Sequence, residues 1–122
     1  MKIEELRVGN CVLTSKDSHP IRFCSSFGLC NVEIEPDKFK PMPITDKWIT
    51  KFGFEQVQSN EVYDSYDHPD LGVEIRVVAG IEGYLFIEEC PDGFPFKSIH
   101  QLQNLCFAIL GEELAPAKEI EL

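Results

Sequence analysis

Basic side chains are scarce in this chain: 11 Lys and Arg stand against 21 Asp and Glu, for a net charge of -10. Affinity for a nucleic-acid backbone comes mostly from Lys and Arg displacing condensed counterions, so no direct nucleic-acid binding is expected. Long apolar runs are missing as well. No segment approaches the ~20 apolar residues of a membrane span, and the opening stretch MKIEELRVGN has no apolar core of signal-peptide length. The expectation is a soluble, cytoplasmic protein with no membrane partner. The five cysteines, Cys11, Cys24, Cys30, Cys90 and Cys106, include no Cys-x-x-Cys pair. A zinc site needs ligands at short paired spacings. Four of these cysteines instead lie in apolar runs such as IRFC and NLCFAI, where a free thiol behaves as a small, soft core side chain. No metal and no cofactor is implied.

The 122 residues match one ordinary domain, large enough to bury roughly two thirds of the unfolded surface without a staple. Charge is divided unevenly. Residues 1–52 are nearly balanced, whereas residues 53–122 carry fourteen acidic and three basic side chains. Near the division lies PDKFKPMPIT, where Pro36, Pro41 and Pro43 withhold backbone donors and favour an extended strap. The reading is therefore α+β. Residues 1–43 are expected as a small, bent antiparallel β-unit of SH3-like, barrel-like character, with strands at NCVLT, IRFCSS and LCNVEIE and a turn at SFG. So short a unit is near the lower limit for folding alone, so it should pack on the remainder. Residues 44–122 read as an α-β-β-β-β-α unit, an antiparallel sheet with two helices, the whole forming one compact domain. Thr45 caps its first helix, which buries Trp48, Ile49 and Phe52 and stops at Gly53. Strands follow at FEQVQ, EVYDSY, GVEIRVVA and GYLFIEEC. In the last of these, apolar residues on both sides (Tyr84 and Phe86 against Leu85 and Ile87) predict a strand covered on both faces.

The last helix is the most sharply written element. In SIHQLQNLCFAILGEEL, Ser98 with Gln101 matches a capping box and Gly111 supplies the stop. At ~100° per residue, Ile99, Leu102, Leu105, Cys106, Phe107, Ile109 and Leu110 share one arc, the core face. Gln103 falls inside that arc. Unpartnered, its amide would cost on the order of 1–3 kcal/mol, so it must be bonded, either to the backbone of a strand end or loop or as the polar anchor of a pocket. The opposite arc holds His100, Gln101, Asn104 and Ala108, all uncharged. A helix face that meets only water is normally written with Glu and Lys, so these four residues are expected to be covered, by the chain's own N-terminal unit or tail, or by a partner or a second copy.

Three other groupings bear on chemistry. YDSYDHPD gathers Asp64, Asp67, His68 and Asp70 in one turn region with oxygen and imidazole donors, but without the glycine and glutamate of a calcium loop, so it reads as a solvated acidic turn. Cys24, Ser25, Ser26, His19 and His68 could serve a nucleophile and its base, yet no nucleophile-framing motif surrounds them. PDGFPF places Phe94 and Phe96 in a proline-bearing loop, where they either pack against the Trp48 helix or expose a peptide-docking surface.

LRVGNCV, PMPITDKWITKFGF and IHQLQNLCFAILGEEL together cover just under a third of the chain. They resemble, in the same order, three blocks of a family of small bacterial proteins associated with Bacteroides-type genomes and their prophage or mobile-element regions. There the blocks read approximately LRIGNYV, PIPLTEEWLLKFGF and VHQLQNLYFALTGEEL. Cys11 and Cys106 stand where that pattern has an aromatic residue. The resemblance implies a mobile-element setting and transfers no catalytic residue. The functional expectation is a non-catalytic protein–protein interaction or regulatory accessory protein, acting on an unidentified protein partner or through self-association. Two alternatives remain: an acidic decoy that mimics nucleic acid, and a small metal-dependent or hydrolytic enzyme centred on the acidic turn.

Overall fold

Strand periodicity decides which core each strand serves. The computed structural model describes residues 1–87 and 90–116. Strands β1 (Cys11–Thr14), β2 (Pro20–Arg22) and β3 (Phe39–Pro41) form an antiparallel sheet in the order β2-β1-β3. Because successive side chains in a strand point to opposite faces, β1 serves two clusters at once. Val12 packs with Phe23, Val32 and Phe39 in a small N-terminal cluster, while Cys11 and Leu13 enter the main core. The first unit thus shares its central strand with the rest of the molecule, as its small size requires.

The main core is floored by a five-stranded antiparallel sheet. Its order is β4 (Glu55–Ser59), β5 (Tyr63–His68), β6 (Val73–Val78), β7 (Glu82–Ile87) and β8 (Cys90–Phe96). Tyr66, Val73, Ile75, Val77, Leu85 and Phe96 turn inward from it to meet Trp48, Ile49 and Phe52 of the α2 region (helix Asp46–Lys51) and Ile99, Leu102 and Cys106 of α3 (Ile99–Leu110). Burying each large apolar side chain contributes ~1.5–3 kcal/mol, so this cluster is the principal source of stability. The proline strap delivers Met42 and Ile44 into it, and the Met42 carbonyl accepts the Ile99 N–H at 3.0 Å, tying the strap to the start of α3.

Helix ends follow their local chemistry. At α3 the Ser98 hydroxyl accepts the Gln101 N–H, and Gly111 closes the helix at φ +69° with its N–H on the Phe107 carbonyl at 3.0 Å. The return bond of the capping box lands one residue early: Gln101 Oε1 accepts from the Lys97 N–H at 2.6 Å. At α2 Thr45 occupies the cap position without a side-chain bond, and Gly53 takes φ +90° just beyond the end.

Two expectations need correcting. LCNVEIE is not a strand: residues 26–34 form helix α1, because Ser25 caps it by accepting the Gly28 N–H at 3.3 Å. The apparent alternation misled, since Leu29 and Val32, three residues apart, supply the helical contact while Ile34 is 74 % exposed. The first unit is therefore a three-stranded sheet carrying a helix rather than an SH3-like barrel. PDGFPF is not a loop either. It is the edge strand β8, pairing with β7 through Gly83↔Phe96, Tyr84↔Pro95 and Leu85↔Phe94, and edge position is where a sheet tolerates proline.

Candidate functional site

The neutral face of α3 is largely spent inside the molecule. Asn104 Oδ1 accepts from Arg7 Nε at 3.1 Å and from Asn10 Nδ2 at 2.9 Å, and its own amide donates to the Glu5 carbonyl at 3.2 Å. Arg7 continues the clamp with a 2.6 Å ion pair to Glu113 and a guanidinium 4.3 Å from the centre of the Phe107 ring. His100 is 1 % exposed, with Nδ1 against the Ser98 hydroxyl at 3.1 Å, and its Nε2 has no partner. Burial holds this imidazole below its ordinary pKa, against the opposing effect of the Glu5 carboxylate. Only Gln101 and Ala108 of the four face residues are exposed. As a surface for a partner, the set His100, Gln101, Asn104 and Ala108 is therefore broken, because His100 is buried and Asn104 is already bonded to the N-terminal unit.

Gln103 is tied to backbone rather than to a pocket. Its Oε1 accepts the Cys11 N–H at 2.8 Å and Asn10 Nδ2 at 3.4 Å, while Nε2 donates to the carbonyls of Gly9 at 3.0 Å and Leu114 at 2.9 Å. One buried amide thus joins β1, the turn before it and the segment after α3. Every polar position it offers is engaged by the chain itself, so Gln103 has nothing left to anchor a ligand.

The acidic turn disperses. His68 is buried, with Nδ1 accepting the Leu71 N–H at 3.2 Å, so the ring hydrogen sits on Nε2, which faces the Phe52 carbonyl at 3.0 Å. Phe54 stacks edge-on against it, with ring centres 5.0 Å apart. A Cβ on Gly53 would lie 2.9 Å from His68 Nε2, so the helix stop and the histidine are fitted to one another. Asp64 meets the Ser59 hydroxyl, and Asp67 points to the other side of β5. Among the described residues no three His, Cys, Asp or Glu side chains converge as a metal site. The cysteines divide: Cys11 and Cys106 are fully buried and their thiols are pushed up to about 11 by burial, whereas Cys24 and Cys30 are exposed, contrary to the core reading. Phe96 is 2 % exposed in the main core and Phe94 packs against it, so neither forms an exposed docking loop.

What remains open is the outer face of the five-stranded sheet. Register places side chains there in rows across the strands. One row runs Glu55, Asp67, Glu74, Phe86; the next runs Ser65, Arg76, Tyr84, Pro95; the third runs Tyr63, Val78, Glu82. None of these residues belongs to either core cluster. Tyr84 and Phe86 are half-buried, so β7 is an internal strand without a second covering layer, correcting the expectation of cover on both faces. The Arg76 guanidinium lies 4.9 Å from the Tyr63 ring centre and 4.7 Å from that of Phe86, and its Nε donates to Glu74 Oε2 at 2.8 Å. That bond, with a second from the Ser65 hydroxyl at 3.0 Å, holds the Glu74 carboxyl below its usual range. At the end of the sheet beside Tyr63 and Val78, Val62 and Ile81 are 67 % and 68 % exposed. Sequence reading singled out carboxylates of this face such as Asp67, but none of its aromatic residues nor Arg76. Strands β5, β6 and β7 were each visible, but which residues share a row depends on register.

The chain matches no family model, no curated protein and no solved structure. No helix among the described residues is long and apolar enough to cross a membrane.

Proposed function

We propose that the protein is a non-catalytic interaction or regulatory module of a mobile element, engaging a protein partner through the outer face of the β4–β8 sheet. The observation that carries this reading is that Tyr63, Val78, Tyr84 and Phe86, all only half-buried, share a sheet face that neither core cluster covers. Aromatic side chains lose few rotamers for the contact area they provide, and interfaces are enriched in them together with Arg. The mobile-element setting is supported by the three sequence blocks described above, and the resemblance adds no activity.

The groups that a small enzyme centred on the acidic turn would use are already engaged, since both ring nitrogens of His68 face backbone atoms. The acidic decoy alternative asks for carboxylates repeating at ~7 Å, about twice the per-strand rise of DNA. The outer-face row Glu55, Asp67, Glu74 instead repeats at the ~4.8 Å strand spacing, and Glu74 is neutralised by Arg76. Glu88 and Glu89, two further carboxylates that such a decoy would present, lie outside the described residues.

The test is a nuclease-treated pull-down from the native host, run side by side with wild type and with Tyr84→Ala. Capture of a defined protein by wild type and its loss with Tyr84→Ala, at unchanged melting temperature, is the expected outcome. Equal capture by both would remove the sheet face from the function.

A further inference from the structure

The outer face carries its own indication of what it recognises, and this inference rests on the interaction reading above. Three carboxylates, Glu55, Asp67 and Glu74, stand opposite one another on adjacent strands. Like charges placed directly across strands destabilise a sheet, and Arg76 is the only basic residue in the three rows. It occupies one complete recognition unit: the guanidinium is flanked by the rings of Tyr63 and Phe86, with the Glu74 carboxylate on its Nε. Beside it stands a second ring and carboxylate. Tyr84 lies directly across from Arg76, its hydroxyl 3.5 Å from exposed Glu82, and among the described residues no cation stacks on its ring. Gly93 on the neighbouring strand keeps this flank low, since a Cβ there would come within 3.0 Å of the Phe86 ring and 3.3 Å of Tyr84 Cβ.

We infer that this face binds an arginine-bearing, basic segment of a partner protein, one arginine stacking on Tyr84 and pairing with Glu82 while neighbouring basic side chains meet Asp67 and Glu55. Planar guanidinium groups both stack on aromatic rings and bond carboxylates, whereas an ammonium does the second as a point charge. The charge balance favours the same class of partner, because residues 53–122 hold fourteen acidic and three basic residues and attract a basic segment at long range. A second copy of the chain docked face to face would set carboxylate rows against each other. A nucleic-acid strand would bring phosphates to them.

The experiment measures fluorescence anisotropy of a labelled nine-residue peptide alternating Arg and Gly, titrated with the protein at 50 and 300 mM salt, with Lys/Gly and Gln/Gly peptides beside it. Saturable binding is expected in the order Arg, then Lys, then Gln, weaker at the higher salt. Tyr84→Ala is expected to weaken the arginine peptide by about 2- to 5-fold, the range of one exposed cation–π contact. Glu82→Gln should weaken it comparably, and Glu33→Gln, exposed on α1, should leave it unchanged. Glu82 is itself exposed, so its variant keeps the test decisive if Tyr84→Ala does not fold. Absence of saturable binding overturns the inference, as does equal binding of Arg and Lys peptides untouched by Glu82→Gln. A wild-type dimer in light scattering that Glu82→Gln strengthens would assign the face to self-association instead. If the host pull-down depends on Tyr84 while the arginine peptide does not bind, the partner class is wrong and the interaction reading stands. If neither depends on Tyr84 or Glu82, both fall.

Discussion

Replacing Gln103 with methionine isolates the polar joint between the two halves of the chain. The swap roughly conserves volume, so overpacking and cavity terms stay small. What is lost is hydrogen bonding: the buried Cys11 N–H and the Leu114 carbonyl lose their Gln103 partners, while the Gly9 carbonyl keeps a second donor in Arg22 Nε at 3.2 Å. Two stranded backbone groups at ~1–3 kcal/mol each give a loss of about 2–6 kcal/mol. A chain of this length is stable by roughly 6–18 kcal/mol in all, so the melting temperature should fall by about 10–20 °C. Gln103→Glu should do worse, because a carboxylate would face the Gly9 and Leu114 carbonyls in place of an amide donor. Ala108→Glu is the control: Ala108 is exposed on the same helix, and a change there should stay within ~0.5 kcal/mol. Scanning calorimetry of the three variants decides. A Gln103→Met melting temperature within ~3 °C of wild type would show that these bonds do not hold the halves together.

Thiol labelling of the native protein with a maleimide, followed by peptide mass spectrometry, should modify Cys24 and Cys30 quickly and leave Cys11 and Cys106 unmodified until denaturant is added. Stability should also decline at both ends of the pH scale. Cys11 and Cys106 have folded values raised to about 11, so their contribution is complete below the unfolded value near 9 and is lost as pH rises from 9 through 11; urea midpoints should fall across that window. His100 has its folded value lowered by burial, so the unfolded chain binds more protons and stability falls as pH drops below ~6.5; His100→Phe should flatten that slope, and an unchanged slope would refute the assignment.

The elements best predicted from sequence are those whose signals are local. Ser98 and Gly111 bracket α3 because a cap and a left-handed stop act within one turn, and the burial of Gln103 followed from helical angle alone. Strand β6 was legible because one buried face imposes alternation, whereas β5 and β7 showed as β-prone runs between turn residues. The failures share a cause. In LCNVEIE a four-residue alternation matched a strand, and the deciding contact, Val32 on Phe23 and Phe39, depends on tertiary packing. In PDGFPF two prolines read as a loop, and only pairing with Gly83, Tyr84 and Leu85 makes the segment an edge strand. The outer-face cluster was hidden for the same reason, since Tyr63, Arg76, Tyr84 and Phe86 come from three strands and meet only once the register is set.

The missing charges on α3 and the surplus of carboxylates on the sheet have different origins. A helix that must dock on the N-terminal unit cannot carry Glu or Lys at positions 100 and 104 without burying an ion, so it uses His100 and Asn104, and spends Gln101 on its own cap. The cation in that joint comes from the other partner: Arg7 reaches Asn104, the Gln103 carbonyl and Glu113 together. On the sheet the constraint is reversed. Glu55 and Asp67 are exposed and neighbour Glu74, a cross-strand arrangement that weakens the fold slightly and that packing does not require. A neutral helix face is thus accounted for by the molecule's own architecture, whereas a carboxylate row beside half-buried aromatic rings is not. That difference moves the search for a partner from the helix to the sheet.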